Sequence, residues 1–366
     1  MKVLFITNLP SPYRVDFFSE LSKHCDLTVF FEGRRSDNLN FNWNDDYISS
    51  FNSYFFSELF NEKKFIFSLI KRVIFSKYDK IIISTYSTRT QSMLIVILKI
   101  LNIGYYFETD GGIIPLKESK LKSAIKFFLI SGAKGYFSTG KGSDKYLIKY
   151  GAKTNKLLRY TFTSLFRRDI VDKIPNKEQK VNYKKSLDIP YDKIIIGVGQ
   201  FIQRKGFDIL LESCVYFSKN VGVYIIGGTP TKEYLETQKR LNLNNINYLE
   251  FLSKEELDKW FLAADLFVLP TREDVWGLVI NEAMSKALPV ITTNGCLAGQ
   301  ELIIDKECLS PIENSVYLGS IINKVIEDEN YLLRLSKNNL KTIKQSTFEV
   351  MALDHIKVFN KDEKIS

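Results

Sequence analysis

The sequence predicts an α/β protein built from two doubly wound units in series. Strand-like and helix-like segments alternate from end to end, and the pattern restarts after a polar stretch near the middle. The 366 residues also exceed one ordinary domain and suit two. In the first half, Val3–Thr7, Leu27–Phe31, Lys80–Ser84, Tyr105–Glu108 and Gly135–Ser138 read as strands. Several are continuously apolar, as central parallel strands covered on both faces are. Helical period lies between them, at Val15–Ser22 and Thr90–Leu101. A Lys-rich stretch without clear apolar period, Arg167 to about Asp192 with Pro175 and Pro190, is the expected linker. Strands resume at Ile194–Val198, Val223–Ile226, Tyr248–Phe251, Leu266–Leu269 and Val290–Thr293. Helical period returns at Phe348–Phe359. The expected division is therefore 1–165, 166–347 and a C-terminal helix within 348–366.

Composition narrows the function classes. The four cysteines, Cys25, Cys214, Cys296 and Cys308, are scattered, with neither zinc spacing nor a disulfide framework, which fits a reducing cytoplasm. Met1 runs straight into a strand, leaving no room for a secretory signal. The longest apolar run, Met93 to Leu98, falls far short of the roughly 20 residues a bilayer span needs. The net charge of +9 is uneven: 26 Lys and Arg oppose 15 Asp and Glu in 1–170, leaving 25 against 27 beyond. A basic first half keeps nucleic acid, anionic lipid and phosphorylated substrates open as partners.

The segment Arg272-Glu-Asp274-Val-Trp276-Gly277-Leu278-Val-Ile-Asn281-Glu282-Ala-Met284 is the most informative in the chain. It follows the buried-strand pattern Asp265–Pro270 and opens a helical period closed by Ala287-Leu288-Pro289. Asp274 and Glu282 thus bracket a glycine at a strand-to-helix junction, where helix N–H groups favour phosphate. Taken alone, the same pattern also fits an ordinary surface loop with incidental acids.

It does not occur alone. The segment resembles the acid-x7-acid signature of the retaining family 4 glycosyltransferases of bacterial surface-polysaccharide type, with Asp274 where Glu is usual. Val198-Gly199-Gln200-Phe201-Ile202-Gln203-Arg204-Lys205-Gly206 and Ser11-Pro12-Tyr13-Arg14 resemble the same family, in the right order. The resemblance implies the GT-B fold: two facing Rossmann-like domains with an interdomain cleft, the C-terminal helix crossing back onto the first domain.

Cleaving a nucleotide-sugar bond puts negative charge on the departing diphosphate, so a metal-free enzyme needs cations and oriented N–H groups there. Lys205 and Arg204, just beyond a strand, suit that clamp, although an isolated Arg-Lys-Gly is otherwise a solvated basic loop. Relatives commonly carry Arg where this chain has Gln200, so one expected cation is missing. The resemblance assigns Glu282 to the ribose hydroxyls and Asp274 to the transferred sugar. Glu273 could partly substitute, because Asp274 is one methylene short. Gly277 and Leu278 would present N–H groups to the diphosphate. Gly227-Gly228 fits a turn admitting the nucleotide, or an ordinary tight turn.

The first domain is expected to hold the acceptor. Tyr13 and Arg14 follow the Asn8-Leu-Pro-Ser-Pro loop, with Arg14 a candidate for a phosphate. Many relatives place a histidine near the strand ending at Glu108. Here the only histidines, His24 and His355, lie elsewhere in the sequence, so that role is absent or falls to Glu108 or Asp110, which otherwise cap a glycine turn. No separate general base emerges; in retaining enzymes of this kind the leaving phosphate can take the acceptor's proton. No Asp-x-Asp follows a strand, and Asp45-Asp46 reads as a solvated loop, so neither metal nor cofactor is expected beyond the nucleoside diphosphate sugar as co-substrate.

From Lys117 to Arg159, eleven basic residues stand against Glu118 and Asp144. Within this stretch, Ser119–Ile130 mixes Lys120, Lys122 and Lys126 with large apolar side chains. It is either a cationic amphipathic helix for anionic lipid or a helix packed on the sheet. The expected function is transfer of a sugar to a lipid-carrier-linked glycan (O-antigen, lipopolysaccharide or capsule) at the cytoplasmic membrane face. A nucleotide-sugar epimerase is the alternative enzyme. A nucleic-acid-binding protein is disfavoured, since the aromatics sit in apolar runs and not on a stacking platform. A dinucleotide oxidoreductase is disfavoured by Pro-Ser-Pro after the first strand.

Overall fold

The structure, a computed structural model, describes residues 1–33, 50–55, 70–73, 76–115 and 117–363. The Asp45-Asp46 loop lies outside them. Two compact units are present: Met1–Ser164 together with Thr347–Ser366, and Leu165–Ser346.

The first unit is a seven-stranded parallel sheet of β1 (Lys2–Thr7), β2 (Asp26–Phe31), β3 (Asn52–Phe55), β4 (Lys80–Ile83), β5 (Tyr106–Glu108), β6 (Gly135–Ser138) and β7 (Leu157–Arg159), in the order β3-β2-β1-β4-β5-β6-β7. Val3, Leu4, Phe5 and Ile6 of β1 are fully buried, as a strand covered on both faces must be. The edge strands β3 and β7 are short and partly exposed, and the sequence pattern missed both. The C-terminal helix Phe348–Glu363 belongs to this unit and is held to it by Asp354, whose carboxylate accepts from Thr161 N and Oγ1 at 3.1 and 3.0 Å.

The second unit has six parallel strands: β8 (Lys193–Val198), β9 (Val221–Ile226), β10 (Ile246–Leu249), β11 (Leu266–Leu269), β12 (Val290–Thr293) and the two-residue β13 (Leu309–Ser310), ordered β10-β9-β8-β11-β12-β13. The expected linker is not unstructured. It contains the helix Lys177–Ser186, opened by a reciprocal Asn176/Gln179 capping box. This helix shows little apolar stripe because ions anchor it: Lys180 and Lys184 both reach Asp265, at 3.2 and 2.7 Å.

In each sheet the strand order reverses beside the first strand, between β1 and β4 and between β8 and β11. Loops leaving the C-terminal ends of those neighbours diverge to opposite faces, and open α/β sheets bind ligands in the crevice between them. That topology places Asn8–Arg14 and Glu108–Asp110 at the edge of one sheet. It places Gly199–Gly206 and Pro270–Gly277 at the edge of the other.

Candidate active site

In the second unit, the loops after β8 and β11 are stitched together. Arg272 N and Thr271 Oγ1 donate to the Arg204 carbonyl at 2.8 and 2.9 Å, and Arg204 Nη1 donates to the Glu273 carbonyl at 2.9 Å. Gly206, at φ 69°, lies so close to Pro270 that a Cβ would sit 2.0 Å from its carbonyl oxygen, so only glycine lets the loops meet. The result is an ion pair between two predicted site residues: Lys205 Nζ lies 2.6 Å from Asp274 Oδ2, their side chains 15% and 11% exposed. Arg204 Nη1 stands 3.7 Å from the other carboxylate oxygen.

Asp274 is held from behind, its N–H donating to Gly295 O at 2.9 Å and its carbonyl accepting from Leu297 N at 3.2 Å. Gly277, at φ 99°, then opens the helix Leu278–Ser285. Glu282 lies half-buried on this helix, and Trp276 Nε1 ties the helix start to Asn281 Oδ1 at 3.0 Å. Behind the junction, Cys296 is no nucleophile, since burial and the nearby Asp274 charge push its thiol up to about 12. Gln200 and Glu273 are exposed, and Leu278 is half-buried. The Gly227 and Gly228 amides both donate to Leu249 O, at 2.9 and 3.2 Å.

Sequence reasoning missed Arg272 as a brace. Its guanidinium forks onto Asp208 at 2.8 and 2.6 Å, bonds Gln203 O at 2.6 Å and also pairs with Glu313. Arg272 stands inside the motif, but nothing in its spacing announced these partners.

The first unit carries a second cluster. Arg14 bonds Glu108 through Nη1 and Asp110 through Nη2, while Tyr13 OH donates to Asp110 at 2.9 Å. Glu108 is fully buried; desolvation alone would raise its pKa, but Arg14 and His355 hold it below the ordinary carboxyl range. Burial pushes Asp110 up, against the pull of Arg14. Two expectations change here. Arg14 is only 4% exposed and already pairs with two carboxylates, so it is not a spare cation for phosphate. A histidine does accompany Glu108: His355, 247 residues away in sequence, places Nε2 at 3.1 Å from Glu108 Oε2. Its ring stacks on Phe137 at 4.5 Å, deep in the core. Sequence distance hid it.

On the same unit, the helix Lys120–Ile130 buries only Leu129 and Ile130. Leu121, Ile125, Phe127 and Phe128 stand exposed, with Ile100 of the helix Arg89–Ile100. The packed-on-the-sheet alternative therefore holds for its C-terminal end alone. No helix among the described residues is long and apolar enough to cross a membrane.

Two Rossmann-like parallel units, one carrying a lysine–acid pair beside a glycine-opened helix, place the chain among the GT-B α/β proteins. Its structure superposes on that of Anabaena Alr3699/HepE in complex with UDP with a TM-score of 0.79 at 16% identity, covering 99% of this chain and 100% of that one. Residues 179–342 match the family described as Glycosyl transferases group 1. Among curated relatives, Protein CapJ of Staphylococcus aureus is 27% identical over 52% of this chain and 50% of its own length. N,N'-diacetylbacillosaminyl-diphospho-undecaprenol alpha-1,3-N-acetylgalactosaminyltransferase of Campylobacter jejuni is 20% identical over 62% of this chain and 60% of its own. The chain spans about half the length of the curated relatives it matches.

Proposed function

We propose that this protein is a retaining, metal-independent glycosyltransferase that moves a sugar from a nucleoside diphosphate donor to a lipid-carrier-linked glycan during surface-polysaccharide assembly. The observation that carries the reading is the Lys205–Asp274 pair, flanked by Arg204, at the mouth of the helix bearing Glu282. Before the donor arrives, Lys205 and Asp274 neutralise each other. The diphosphate takes over Lys205 and Arg204 and meets the helix N-terminus, releasing Asp274 to accept hydroxyls of the transferred sugar. Glu282 holds the ribose diol. The bond from sugar C1 to the phosphate oxygen breaks, the acceptor hydroxyl oxygen bonds to C1, and its proton passes to the departing diphosphate.

Two observations favour a lipid-borne acceptor. The C. jejuni relative is named for an undecaprenol-linked substrate. The helix Lys120–Ile130 offers Leu121, 71% exposed, with Phe127 and Phe128 among lysines, as an interfacial helix on anionic lipid does at the inner membrane face. The test incubates a panel of nucleoside diphosphate sugars with lipid-linked acceptors and reads the new anomeric centre by NMR. Transfer with the donor's configuration supports the reading, an inverted product refutes retention, and free donor isomerised without acceptor replaces transferase by epimerase.

A further inference from the structure

The first unit contains a cavity of about 360 Å³ at the C-terminal ends of β1, β4 and β5. That volume lies at the small end of the roughly 300–1,000 Å³ typical of ligand sites. Its wall mixes apolar surface, from Leu9 and the Tyr13 ring, with hydroxyl and amide groups of Asn8, Ser11, Ser84, Thr85 and Thr109, and among the described residues its charged members are Arg14 and Asp110. Arg14 is shielded and occupied, as described above. Asp110 remains 28% exposed; its Oδ1 accepts from Arg14 and, at 3.5 Å, from Tyr160 OH, while among the described residues its Oδ2 accepts from Tyr13 OH alone. A carboxylate oxygen has room for a further donor. Ser84, at the end of β4, is 91% buried, and its Oγ has no hydrogen-bond partner. A buried hydroxyl without a partner calls for an explanation, and a polar ligand in this cavity supplies one.

Resting on the transferase reading, we infer that this cavity receives a neutral polyhydroxyl ring of the acceptor and rejects acidic sugars and phosphate. Asp110 and Ser84 determine that specificity. A sugar diol donates to Asp110, whereas a carboxylate or phosphate would meet like charge with no free cation among the described residues of the wall.

Saturation-transfer NMR on the full-length protein tests this with neutral methyl glycosides (hexosides and 2-acetamido hexosides), the matching methyl uronides, and inorganic phosphate as competitor. At least one neutral glycoside should bind about tenfold more tightly than its uronide, and phosphate should not displace it. Asp110→Asn should weaken the neutral sugar about tenfold and shrink the discrimination. Ser84→Ala should weaken it about fivefold with an unchanged melting temperature. A uronide or phosphate binding as tightly as every neutral glycoside, or no neutral glycoside bound at all, overturns the inference. So does Asp110→Asn leaving affinity and discrimination unchanged. Stabilisation by nucleoside diphosphate sugars, measured on the same samples, separates the two readings. Its absence sinks the transferase, while its presence alongside failed discrimination sinks only the neutral-acceptor pocket.

Discussion

Lys205→Ala should have two separable effects. The side chain closes a 2.6 Å ion pair with Asp274, and both partners are largely buried. Removing one member of a fully buried pair costs about 3–5 kcal/mol. Arg204, 3.7 Å from the other Asp274 oxygen, remains as partial compensation, so about 2 kcal/mol is expected. For a unit of this size, that is a fall of roughly 4–8 °C in melting temperature. The second loss concerns the donor. A cation about 4 Å from a phosphate charge is worth about 4 kcal/mol at an effective dielectric of 20. Part of this is offset because Lys205 must leave Asp274. A net 2–3 kcal/mol is then about 30- to 150-fold in donor affinity. Differential scanning fluorimetry reads the first effect and calorimetric titration with a nucleoside diphosphate sugar the second. Adding Asp274→Asn removes the stranded carboxylate, so the double variant should regain melting temperature but not donor affinity. Recovery of both, or a Lys205→Ala protein that binds donor like the wild type, would refute the reasoning.

Arg272→Lys keeps the charge but cannot fork onto Asp208 and bond Gln203 O at once. KM for the donor should rise about tenfold with a smaller change in kcat, because the brace positions Lys205 without touching the reacting atoms. The carboxyl cluster of the first unit predicts opposing responses to acid. Glu108, held low in the folded state, contributes stability above the ordinary value of 4.5 that is lost as pH falls through its folded pKa. Asp110, raised by burial, binds its proton more tightly when folded and contributes with the opposite sign. Denaturant titrations from pH 6 to pH 3 should therefore show Glu108→Gln flattening the acid loss and Asp110→Asn steepening it; the reverse order would contradict the cluster. Phe127→Ser with Phe128→Ser should weaken flotation with anionic vesicles about tenfold. Wild-type protein that fails to float at low salt would remove the membrane proposal.

The central strands were legible because burial on both faces writes itself as continuous apolar runs, as in Leu266–Leu269 and Val290–Thr293. Edge strands carry no such mark: Asn52–Phe55 is half polar, and Leu309–Ser310 is two residues long. The helix Lys177–Ser186 passed for linker because its tertiary anchors are lysines on a distant aspartate. In the second unit, Lys205 and Asp274 were both named from the sequence, but their mutual pairing depends on two strands adjacent in space and 69 residues apart in the chain. In the first unit, Arg14, Glu108 and Asp110 were named singly. What joins them is the strand order, which brings the segments after β1 and β5 to one sheet edge, and what brings His355 to Glu108 is the C-terminal helix returning to that unit.

A phosphorus NMR titration of the stabilising nucleoside diphosphate sugar against wild type, Lys205→Ala and Glu282→Ala tests the donor site most directly. Both donor resonances should shift on the wild type. They should stay near their free positions with Lys205→Ala, and reach the bound position only at much higher concentration with Glu282→Ala. Wild-type shifts in both variants would mean that the diphosphate binds elsewhere.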